Sequence, residues 1–134
     1  MALTKDRNTK RREGKQFSDP VAAAAVIFAG ALVCLDASGN AVPGSVSTTL
    51  TARGRAEEHV DNSSGAAGDL NVEVRGGLFL LKNSAAADEI TRADIGNDCY
   101  IVDDETVAKT DGTSTRSVAG KIQDVDSAGV WVEI

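Results

Sequence analysis

At 134 residues, with 42% hydrophobic and 25% charged, the chain falls in the range of one globular domain with one modest core. Two cysteines are too few for a disulfide framework or a thiolate metal site, and aromatics at 4% leave a core of small and β-branched side chains. The formal charge of −6 is unevenly spread: residues 1–15 hold six basic and two acidic side chains, about +4, leaving about −10 on the rest.

The six cations are Lys5, Arg7, Lys10, Arg11, Arg12 and Lys15. Their segment has no sustained helical or strand period, which predicts an extended basic arm over residues 1–18 ahead of a single β domain over 19–134. A basic arm suits an acidic protein surface, nucleic acid or an anionic membrane. It lacks the interleaved aromatics that base stacking needs, so nucleic acid is not expected as a partner. The apolar run from Val21 to Leu35 has the look of a signal segment, but it follows Asp19-Pro20, is broken by Gly30 and leads into Asp36. It is also too short to cross a bilayer as a helix, so neither a cleaved leader nor a membrane role is expected.

Within that run, Val26–Phe28 and Leu32–Leu35 are β-favouring, with a helix through Ala22–Ala25 as the alternative at its start. Asp36-Ala37-Ser38-Gly39-Asn40 and Pro43-Gly44 are turn signals that leave room for only a very short strand between them. Ser45–Arg55 is expected as a strand, with Gly54 as a bulge or close approach. Residues 61–68 form a loop, followed by the alternating strand Leu70–Arg75 and, after Gly76-Gly77, the run Leu78–Leu81. Ile90–Ile95 suits a helical turn capped by Thr91. Cys99–Val102 is a strand ending in Asp103-Asp104-Glu105. Ser117–Asp124 and Gly129–Ile134 form a terminal hairpin around Asp126-Ser127-Ala128-Gly129. Seven to nine short strands separated by glycine-rich turns predict an all-β sandwich or barrel.

A search for chemistry finds little. The single histidine, His59, stands beside two glutamates and reads as a solvated side chain. Cys34 and Cys99 sit in apolar runs and read as buried thiols. Asp124-Val125-Asp126 opens like a calcium loop, but no bidentate carboxylate follows at the required position. Consecutive carboxylates at 103–105 would alternate between strand faces and cannot all converge on one ion. No glycine loop lies between a strand and a helix to cradle phosphate. No enzyme activity, cofactor or metal is expected.

From about Gly54 onward the sequence resembles the capsid decoration, or cement, proteins of tailed bacteriophages. The resemblance rests on Gly54–Glu58 leading to Val60–Asn62, on Val72–Phe79, on Ala93–Gly96 leading to Cys99–Val107, and on Ala119–Asp126 leading to Gly129–Ile134. It implies a compact small β-barrel or β-tulip-like domain that sits on the outer surface of the virion capsid after assembly in the host cytoplasm. It further implies clusters of copies, commonly trimers, that tie neighbouring major capsid protein subunits together. The basic arm is longer than in the plainest members; Lys5, Arg7, Lys10, Arg11, Arg12 and Lys15 are expected to anchor on an acidic capsid or neighbour surface. A carbohydrate-binding or adhesive β module is the alternative, though one Trp and one Tyr offer little for stacking on sugars.

In the last strand, period-two alternation puts Val130, Val132 and Ile134 on one face and Trp131 with Glu133 on the other. If the aliphatic face fills the core, Trp131 points outward and becomes a candidate anchor between copies or with the capsid. The opposite assignment, with Trp131 in the core, stays open at this point.

Overall fold

The computed structural model describes residues 2, 4–12 and 14–134; Met1, Leu3 and Glu13, all within the basic arm, lie outside that set. Among the described residues the chain is all-β, and its strands form where β-branched or alternating residues run between turn-forming ones. In chain order they are β1 (Gln16–Pro20), β2 (Val26–Ile27), β3 (Leu32–Leu35), β4 (Ala41–Pro43), β5 (Thr51–Ala56) and β6 (Val60–Asp61). There follow β7 (Asn71–Arg75), β8 (Leu78–Leu81), β9 (Asp98–Ile101), β10 (Val107–Ala108), β11 (Val118–Asp126) and β12 (Gly129–Glu133). Two single 3-10 turns, Ala86–Asp88 and Arg92–Asp94, interrupt them.

The strands make one five-stranded sheet ordered β1-β7-β5-β3-β4, a second ordered β10-β9-β11-β12-β8, and the small ribbon β2-β6. All pairings between these strands are antiparallel. None of the three sheets closes on itself, so the expected barrel is instead a stack of open sheets. Sheet closure is set by register and tilt, which composition and strand spacing do not encode.

Strand β3 shows why the stack holds. Leu32 and Cys34 belong to the core shared with the second sheet, alongside Ile101, Ile122, Val130 and Val132. Val33, pointing the other way, packs with Val21, Ile27, Val60, Val72 and Val74 beneath the ribbon. The first sheet is therefore covered on both faces, which accounts for the continuous apolar run Leu32–Leu35 where a one-sided strand would alternate. Each fully buried Val, Leu or Ile contributes roughly 1.5–3 kcal/mol of transfer free energy before entropy is charged.

Turns fall where the sequence signals them. The Asp36 carboxylate accepts the backbone N–H groups of Ser38 and Asn40 at 2.9 and 3.0 Å. Asp126 accepts the Ala128 N–H at 2.8 Å to close the β11–β12 hairpin. Asp94 accepts both the N–H and the hydroxyl of Thr91, so the expected cap at that helical turn is present. Gly54 has a φ of +151°, sits beside a register shift against β3, and lies so close to the Arg75 carbonyl that a Cβ would overlap it. Bulge and close approach are thus both realised at that position.

Four local expectations are corrected. Strand β5 begins only at Thr51; residues 45–50 are irregular, and the backbone N–H of Leu50 bonds the Ser117 hydroxyl instead of a neighbouring strand. The alternative helix through Ala22–Ala25 does not form: Ala24 takes a left-handed φ of +60° in a turn. β1 starts at Gln16, inside the segment read as arm, because Phe17 and Asp19 find partners on β7 and on Arg53, far along the chain. Strand β10 was not anticipated, and with β1 and the ribbon strand β6 it raises the number of strands among the described residues to twelve.

Candidate interaction surface

The arm and the body part at a defined point. The Lys15 carbonyl accepts the Gly76 N–H at 2.7 Å, and beside it Gly77 and Ile134 exchange two backbone hydrogen bonds, at 3.2 and 2.9 Å. The arm therefore leaves the body next to the start of β8. Lys5, Arg7, Lys10, Arg11, Arg12 and Lys15 are all exposed, and among the described residues none forms an ion pair. Their charge is left for something outside the body.

Trp131 lies on the outer face, as the assignment with the aliphatic face in the core requires: Val130 and Val132 are fully buried, whereas Trp131 is half-buried. Its indole N–H donates to Asp126 Oδ2 at 3.2 Å across the end of the hairpin. That bond, together with the stronger one from the Ala128 N–H, holds the Asp126 carboxyl below its ordinary range. Trp131 pairs in register with Leu80, and Glu133 with Leu78. Leu78, which opens β8, and Leu80 within it are 51% and 41% exposed. Alternation puts both on the outer face of the sheet with Trp131 and Glu133, and β8 is also an edge strand.

Strand β8 also borders a groove of about 300 Å³. Its other wall is formed by Gly30, Leu32, Gly54 and Arg55. The Arg55 guanidinium lies over the Phe79 ring, 4.8 Å from its centroid, and bonds Glu57 at 2.7 Å. Because Gly77 and Ile134 form a reciprocally bonded pair, the alternation of an antiparallel ladder makes Phe79–Val132 and Leu81–Val130 bonded pairs as well. The N–H and C=O groups of Leu78 and Leu80 then face away from β12, toward the open edge. Beyond Leu81 the edge is covered, since Lys82 bonds the backbone of Glu105 and Val107.

The rim is acidic. Glu133 faces Leu78, Asp126 holds Trp131, and Asp104 lines a neighbouring cleft with Gly30; none of the three has a cationic partner among the described residues. Burial, reinforced by Asp103 and then by Glu105, raises the Asp104 carboxyl above the ordinary range.

The side chains considered for chemistry stay apart. His59 is exposed and packs edge-on to Phe28 at 5.0 Å. Cys34 and Cys99 are free, buried in the same core, and burial pushes both thiols up to about 12. No group of three or more His, Cys, Asp or Glu side chains that could hold a metal ion occurs among the described residues. Trp131 lines the groove and none of the arm cations does; Lys15, at the root, is tied through its carbonyl to Gly76, just ahead of β8. Sequence reasoning missed Leu78 and Leu80, because a continuous apolar run signals burial and nothing local marks an edge position. In comparisons with family models, curated proteins and solved structures, no match was found.

Proposed function

We propose that the protein is a structural component of a bacteriophage virion, a capsid decoration or cement protein. It would bind the outer surface of the head and stabilise contacts between major capsid protein subunits. The observation that carries this reading is the pairing of an exposed basic arm, whose cations form no ion pair among the described residues, with an acidic all-β body, in which an apolar strand edge is left uncovered at the arm's root. Such a design holds surfaces together; it does not gather reactive groups in a cleft. The sequence resemblance adds the tulip-like description of the body, the major capsid protein as partner and a trimeric cluster. Stabilisation follows from mass action, because a protein that binds the assembled shell and not its dissociated subunits shifts the equilibrium toward assembly.

Electron microscopy of heads assembled with and without the protein tests the reading directly. Density on the outer surface of the decorated heads is the expected result; heads that never acquire it would remove the proposal.

A further inference from the structure

We propose that the open edge of β8 receives the basic arm of a second copy of this chain as an added strand. The acceptor is built from Leu78 and Leu80, whose outward N–H and C=O groups offer four backbone hydrogen-bonding sites. Their side chains and Trp131 supply an apolar flank, and Gly30 on the far wall of the groove has open space beside it.

Charge selects the occupant. Asp104, Asp126 and Glu133 around the edge lack cationic partners among the described residues, whereas the arm carries six cations against two carboxylates, and none of the six forms an ion pair among the described residues. Two bodies of about −10 repel each other, and an arm of about +4 laid across the neighbour's acidic rim offsets that repulsion. The arm is long enough: fifteen residues extend at most about 50 Å, several times the length of β8. In its own chain the described arm residues from Ala2 to Arg12 make no backbone hydrogen bond to the body. Because the arm of one copy meets the edge of another, the contact joins unlike surfaces, and it closes into a ring where the rotation between copies allows, a reciprocal pair being the smallest.

The test needs no capsid, so its failure is separable from failure of the decoration reading. Sedimentation equilibrium of the full chain should show concentration-dependent association that weakens about tenfold or more as salt rises from about 0.05 to about 0.5 M. Reversing the arm charges together (Lys5→Glu, Arg7→Glu, Lys10→Glu, Arg11→Glu, Arg12→Glu) should leave a monomer. Leu80→Pro should do the same, since it removes an N–H directed at the open edge, a position an edge strand tolerates. Leu80→Lys, which keeps the backbone and sets a cation against the arm, repeats the test should the proline variant melt early. Mixing the arm-reversed protein, whose edge is intact, with Leu80→Pro, whose arm is intact, should restore association as a one-to-one pair. A wild-type chain that is monomeric at every concentration, an arm-reversed protein that still associates, or a mixture that forms no pair would each overturn the proposal.

Discussion

On the proposed reading, Trp131 matters more for association than for folding. Its ring covers the outer face of β12, and its polar tip is satisfied by Asp126 rather than by the core. Trp131→Ala should therefore melt close to the wild type, well short of the roughly 3–5 kcal/mol that deleting a core aromatic costs. It should also lose most of its binding to heads, read by co-sedimentation. The buried thiols behave in the opposite way. Cys34 and Cys99 should resist a soluble thiol reagent near neutral pH until the chain unfolds. A thiol whose pKa is raised by folding is held neutral by the fold, so its contribution is complete below about 9 and is lost as pH rises toward about 12. Denaturant midpoints measured across that alkaline window should fall, and replacing both thiols with Ala should remove that part of the slope.

At the scale of the elements, Gly54 ties three strands together. It forms the irregularity opposite β3 and receives the Arg75 carbonyl of β7 at a distance that excludes any side chain. Gly54→Ala should cost at least the roughly 1–3 kcal/mol of a strained backbone position and lower the thermal midpoint accordingly. This position was legible in advance, because a glycine inside a strand pattern has few other uses. So were β7, β9 and the β11–β12 hairpin, where alternation and turn residues agree. Strand β1 was not legible: Gln-Phe-Ser-Asp-Pro has weak strand character and is fixed by the ladder to β7 and by the bidentate Arg53–Asp19 pair, at 2.8 and 3.0 Å. The β8 edge was hidden for a related reason. Whether an apolar strand lies inside a sheet or at its margin depends on topology, which a single run such as Leu-Phe-Leu-Leu does not contain.

For the molecule as a whole, arm and body should be separable, provided the cut respects the junction at Lys15. Removing residues 1–13 should leave the melting temperature of the body unchanged while weakening its occupancy of heads, and decorated heads should rupture at a higher temperature than stripped ones. Undiminished occupancy by the shortened chain would show that the arm is not the anchor. The junction has a further consequence, concerning force. If a shell under internal pressure tugs on the arm, the load enters the body at Gln16 and is shared along the five-residue ladder between β1 and β7. Pulled along its own axis, that ladder is sheared rather than peeled, so its rungs resist together instead of failing one at a time. The neighbouring Gly76-Gly77 junction joins Lys15 to Ile134, so tension arriving at the front of the chain is passed at once to its last strand.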